Sequence, residues 1–147
     1  MKKVVRTPSP AAVALLRQAT ALAPKRMKAS DGLLPSAAHL KTNPNSDHNT
    51  GLAVDLTDDP ANGVNCHIIY ERLKADKRVK YLIFSGRIWS AEKGDRKYDG
   101  SNQHNKHLHV SIKDGYGKDT SPWFPWLPKP KPLAKVKAKL SKKPKKK

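Results

Sequence analysis

The chain has 147 residues, enough for one domain with a real core and little more. Its formal net charge of +18 is unevenly spread: Lys129 to Lys147 hold ten lysines and no acid, while the other 128 residues hold 20 basic and 12 acidic side chains. A single cysteine, Cys66, excludes an intramolecular disulfide and a cysteine-based zinc cage, and no apolar run has the length of a membrane-spanning helix.

Taken in chain order, the first predicted element is a helix. The opening MKKVVRTPSPAAVALLRQATALAP loosely mimics a secretory leader, but its apolar stretch Ala11–Leu16 is short and is broken by Arg17-Gln18. The Ser9-Pro10 start and the spacing of Val13, Leu16 and Leu22 suit an amphipathic helix better. Pro24 to Leu40 reads as loop, with a turn at Ser30-Asp31-Gly32 and a short helical piece around Ser36–Leu40. Residues 52–57 form a strand, residues 58–63 a loop, and Asn65 caps a helix to about Lys74 with Ile68, Ile69 and Leu73 inward. Lys80–Ser85 is the second strand, and Arg87–Ser90 continues the sheet after Gly86. Glu92 to Lys106 is polar and loop-like, and His107–Ile112 is a third strand.

Composition changes at Pro122. The cluster Trp123, Phe124 and Trp126 is expected to close the domain, which ends near Leu127, and residues 128–147 lack the apolar content to fold alone. The expected architecture is therefore α+β: residues 1–127 as a small antiparallel sheet flanked by helices, followed by a disordered Lys/Pro-rich tail.

The chemistry concentrates on two strands. In HLHVSI, Leu108, Val110 and Ile112 share one face, and His107, His109 and Ser111 the other. In LAVDL, Leu52, Val54 and Leu56 point to the core, and Ala53 and Asp55 away from it. If these strands are neighbours, Asp55 and His109 meet on one polar face with His48 at the rim. Taken singly, a strand histidine is usually a satisfied polar residue, and an aspartate after a turn a backbone cap. Together, two imidazoles and a carboxylate suit a catalytic zinc, with one position left for water. The sheet face bearing these residues is then a zinc site.

The spacing S-x-H-x-x-G-x-A-x-D, carried by Ser46, His48, Gly51, Ala53 and Asp55, resembles the signature of the LAS metallopeptidases, which include lysostaphin-type enzymes, D-Ala-D-Ala peptidases and hedgehog-like domains. His107-Leu108-His109 looks like their His-x-His element. The stretches SDHNTGLAVDLTDDPANGVNCH and FSGRIWSAEKGDRKYDGSNQHNKHLHVSI look like peptidase domains of phage endolysins, and the similarity spans about Pro10 to Ile112. The resemblance implies one Zn2+ on His48, Asp55 and His109, with His107 as general base or electrostatic stabiliser and His104 behind it or touching substrate. Arg87 and Trp89 are candidate substrate contacts. One departure stands out: the glutamate that D-Ala-D-Ala carboxypeptidases offer shortly before the last histidine is missing, which favours an endopeptidase-like activity on peptidoglycan.

With no leader recognised at the N-terminus, the resemblance implies synthesis in the host cytoplasm and action on the cell wall or periplasm after release. A monomer is expected. The tail, residues 129–147, is a polycation suited to lipopolysaccharide, teichoic acid or phospholipid headgroups. Nucleic acid fits the charge equally well, but no aromatic residues interleave with the lysines after Trp126, so base stacking has no support. Two rivals remain. One is a non-catalytic zinc domain that binds cell wall without cutting it. The other is a basic metal-dependent nuclease, suggested by Asp47-His48-Asn49 and Cys66-His67 but leaving the His-x-His strand without a role.

Overall fold

In a computed structural model of the chain, residues 7–34, 46–100 and 103–127 are described. The helical piece expected around Ser36–Leu40 and the basic tail lie outside them. Among the described residues the fold is α+β, with two α-helices and one five-stranded antiparallel sheet. Helix α1 spans Pro10–Leu22 and α2 spans Cys66–Leu73. The strands are β1 (Ala53–Thr57), β2 (Val79–Phe84), β3 (Arg87–Ser90), β4 (Gly94–Lys97) and β5 (His107–Ile112), in the order β1-β5-β2-β3-β4. The last strand in sequence thus lies between the first and second.

Both helices begin as their sequences dictate. Ser9 Oγ accepts from Ala12 N–H at 3.3 Å, with Pro10 opening α1. Asn65 Oδ1 accepts from the N–H groups of His67 and Ile68 to open α2. The buried stripe of α1 is mostly alanine (Ala11, Ala12, Ala14, Ala19) around Leu15, which lets the helix lie close to the sheet, while Leu16 and Leu22 are only partly buried. In α2 the buried stripe is Cys66, Ile69, Tyr70 and Leu73. Ile68, expected inward, is 52% exposed. The i, i+3, i+4, i+7 row starting at Cys66 takes the core side, and residue 68 falls off that row.

Strand alternation divides the sheet cleanly. Val54, Leu56, Leu82, Phe84, Leu108, Val110 and Ile112 face the helices and form the core with Trp123 and Phe124. Asp55, His107, His109 and Ser111 take the other face. Two differences from expectation concern the edge: β4 lies inside the segment expected to be loop, and β1 begins at Ala53 rather than Leu52. β4 carries GDRK, which has no apolar alternation, and it forms as a hairpin on β3 through the pairs Arg87–Lys97 to Ser90–Gly94.

The closing segment is fixed by a buried arginine. Arg78 makes a double contact with Asp76, at 3.0 and 2.7 Å, and donates to the carbonyls of Asp119, Ser121 and Pro122. Its guanidinium lies 3.6 Å from the Trp123 ring centroid. Trp123 in turn donates from Nε1 to the Ala11 carbonyl at 2.9 Å, tying this segment to α1. Replacing Arg78 by Ala strands Asp76 and three carbonyls at once. Arg78→Ala should therefore lower unfolding free energy in urea by about 3 kcal/mol; a loss below about 1 kcal/mol, the worth of an exposed pair, would contradict this account.

Candidate metal centre

Register brings the polar residues together. In the β1–β5 pairing Asp55 lies opposite His109, Thr57 opposite His107 and Ala53 opposite Ser111. His48 arrives from a 3-10 turn, Asp47–Thr50, whose Ser46 cap accepts from His48 N–H at 3.2 Å. Gly51 ends this turn at φ +74°, and a Cβ there would come within 2.9 Å of the Thr7 carbonyl. Its own carbonyl accepts from Ser9 N–H, so the histidine-bearing turn is fastened to the start of α1. Only glycine satisfies both demands.

Two imidazoles converge on one carboxylate oxygen, and a third approaches the other. His48 Nε2 lies 3.3 Å and His109 Nδ1 3.2 Å from Asp55 Oδ1, and His107 Nε2 lies 3.7 Å from Oδ2. Ligand atoms of His48, Asp55 and His109 all fall within 4.8 Å of one another, so this group could hold a metal ion. His48 and His109 are buried and Asp55 nearly so. His104, at φ +57°, sets its ring edge-on to His107 with centroids 5.0 Å apart. That loop is held by the turn between β2 and β3: Ser85 and Gly86, both at positive φ, donate to the His104 and Gln103 carbonyls.

Residues 30–33 form the opposite wall. Gly32 exchanges both backbone hydrogen bonds with Asp55, at 2.8 and 3.1 Å, along the free edge of β1. A Cβ at Gly32 would sit 3.1 Å from Asp55 Oδ2 and crowd the carboxylate. Asp31 anchors this strip, accepting from Arg26 and from both the backbone and hydroxyl of Thr57. Although burial opposes its charge, those hydrogen bonds hold the Asp31 carboxyl below the usual range. The strip thereby presents the Leu33 carbonyl 2.8 Å from His48 Nδ1.

That carbonyl decides the chemistry of His48. It can only accept, so Nδ1 carries a proton and Nε2 turns to Asp55. A bare nitrogen lone pair against a carboxylate is repulsive, so Nε2 must hold either a proton or a cation. Burial pushes His48 toward neutrality, but the Asp55 hydrogen bond and charge outweigh it and raise its pKa. Burial likewise opposes the Asp55 charge, and hydrogen bonds from His109 and His48 hold its carboxyl far below the usual range. The carboxylate is therefore ionised at neutral pH. Two imidazoles and a carboxylate suit zinc and neighbouring divalent transition metals alike.

Two expected members do not join the group. β2 pairs Phe84 with Arg87 and Leu82 with Trp89, and both Phe84 and Leu82 are core residues. Arg87 and Trp89 therefore lie on the helix-facing side of the sheet, away from His109. Trp89 packs on the core, and Arg87 pairs with Asp95 beside the Tyr70 ring. One residue of offset in a strand reverses its face, so Arg87 and Trp89 do not lie on the face that carries His109, where they were expected. Cys66-His67 also lies on the helical layer, on α2. Conversely, Tyr81 of β2 stacks on His109, with centroids 5.3 Å apart and planes 20° off parallel. No protein-family model, curated protein or solved structure matches the chain.

A metal held by this group would take the place of the proton on His48 Nε2. Since the His48 pKa is raised, metal affinity should climb as pH rises through it and then level off. Zinc titration against a competing chelator between about pH 5.5 and about pH 8 reads this directly, with binding tighter by about tenfold per pH unit on the acid side. Affinity flat across that range would mean that His48 is not a ligand.

Proposed function

We propose that the chain is a zinc peptidase that hydrolyses a peptide bond in the stem or cross-link of peptidoglycan, in the manner of a phage endolysin. The observation that carries this reading is the convergence of His48 Nε2, Asp55 Oδ1 and His109 Nδ1 beside a fourth side chain, His107, that stands close without joining the three. The likeness of residues 46–55 and 107–109 to the LAS signature supports the choice of zinc and of substrate. Zinc bound by such a set lowers the pKa of water to about 7 and polarises a carbonyl.

The roles of the chain's own residues follow from their settings. His48, Asp55 and His109 supply two neutral donors and one charge, leaving a position open. Burial, joined by the charges of His109 and His48, outweighs the pull of Asp55 and holds His107 below its ordinary pKa. At neutral pH His107 is thus an unprotonated imidazole, suited to take a proton from attacking water and return it to the leaving amine. His104 braces the His107 ring edge-on. Arg87 and Trp89, on the other face, have no part in substrate binding in this reading.

The tail, ten lysines within residues 129–147, would draw the enzyme to the anionic envelope, each lysine near a membrane adding about 1 kcal/mol. Synthesis in the host cytoplasm and action on the wall after release complete the proposal.

Zinc content and clearing of purified peptidoglycan test it. Asp55→Ala and His109→Ala should lose both. His107→Ala should keep one zinc and lose about 10²- to 10⁴-fold in turnover. Equal zinc loss in all three variants would remove His107 from the role of base. Bound zinc without clearing by the intact chain would leave a cell-wall-binding domain, and degradation of plasmid instead of wall would leave a nuclease.

A further inference from the structure

We infer that Ser111 is the positioning residue for His109, its hydroxyl fixing Nδ1 rather than Nε2 as the metal-facing nitrogen. The inference rests on the metal reading of the His48–Asp55–His109 group. Ser111 is fully buried, and its Oγ stands 2.8 Å from His109 Nε2. The two residues are two apart on β5 and share its polar face, with Ser111 flanked by Ala53 of β1 and Tyr81 of β2. Stacking by Tyr81 limits the tilt of the His109 ring, while Asp55 and Ser111 hold its two nitrogens from opposite sides.

The two histidines are oriented by different kinds of partner. His48 Nδ1 meets a carbonyl, which only accepts. His109 Nε2 meets a hydroxyl, which both accepts and donates. With a metal on Nδ1, His109 carries its proton on Nε2, and that buried N–H needs an acceptor; Ser111 Oγ provides it. Without metal, Nδ1 faces Asp55 and Nε2 keeps the Ser111 hydroxyl as its partner, which can donate or accept as that nitrogen requires. The hydroxyl rotor alone adapts to either state, with no movement of the ring. Ser111 therefore lets the centre fill and empty without leaving a buried ring nitrogen unpaired.

Metal affinity and ring tautomer test this together in the full chain. Ser111→Ala should weaken zinc binding about 10- to 100-fold in chelator competition, the usual cost of removing a partner behind a ligand. Long-range nitrogen–proton NMR of the zinc-loaded wild type should show His109 protonated at Nε2, with that proton slow to exchange. In Ser111→Ala it should exchange rapidly, while the His48 Nδ1 proton on Leu33 stays protected. Circular dichroism of the metal-free variant confirms that it folds, and the wild-type tautomer needs no variant at all. Zinc affinity within about threefold of wild type in Ser111→Ala, or zinc on Nε2 of His109 in the wild type, overturns the role of Ser111 and leaves the metal centre standing. Absence of zinc binding by the wild type overturns both.

Discussion

The carboxylate of Asp55 is the constraint on which the rest of the structure turns. It sits in the middle of a strand whose neighbours Val54 and Leu56 are fully buried. A charge in that position is costly unless positive groups surround it. Here the surroundings are imidazoles: two share Oδ1 and a third stands near Oδ2. Three histidines around one carboxylate are a poor structural ion pair, because an arginine would give a stronger and simpler one, as Arg26 does for Asp31 and Arg78 for Asp76. Imidazole nitrogens aimed at one shared carboxylate make sense when a cation can take the place of the protons between them.

The scaffold serves that arrangement by separating two tasks on one sheet. The helix-facing side holds the aliphatic side chains and is closed by Trp123 and Phe124. The other side holds the histidines, Asp55 and Ser111. Each member of the group comes from a different element: His48 from a 3-10 turn, Asp55 from an outer strand, and His109 from the strand beside it. Two glycines make the convergence feasible. Gly51 lets the turn approach the start of α1, and Gly32 leaves room for the carboxylate. Rigid strands and hydrogen-bonded rings leave the donor atoms little freedom, as a site with defined geometry requires.

Much of this was legible in the sequence. Period-two alternation in 52–57 and 107–112 assigned the core and polar faces, and it put Ser111 with the histidines. What alternation cannot supply is the face of a short strand reached through a hairpin. Arg87 and Trp89 follow a turn whose length sets the register, and they fall opposite Phe84 and Leu82 on the core side. Also illegible was the strip at residues 30–33. Its single bridge to Asp55 and its carbonyl behind His48 involve backbone atoms, which leave no mark on residue type beyond the glycine itself. β4 escaped notice for a related reason: its GDRK sequence is held by pairing with β3 and not by any apolar pattern of its own.

The central claim is that His48, Asp55 and His109 together bind one metal ion. X-ray absorption at the zinc edge, on the full chain loaded with one equivalent, addresses it most directly. The account predicts a four-coordinate shell of nitrogen and oxygen at about 2.0–2.1 Å, with the outer-shell scattering of two imidazoles and no sulfur. A shell of oxygens alone, or one with a sulfur contribution, would place the metal elsewhere on the chain and contradict it.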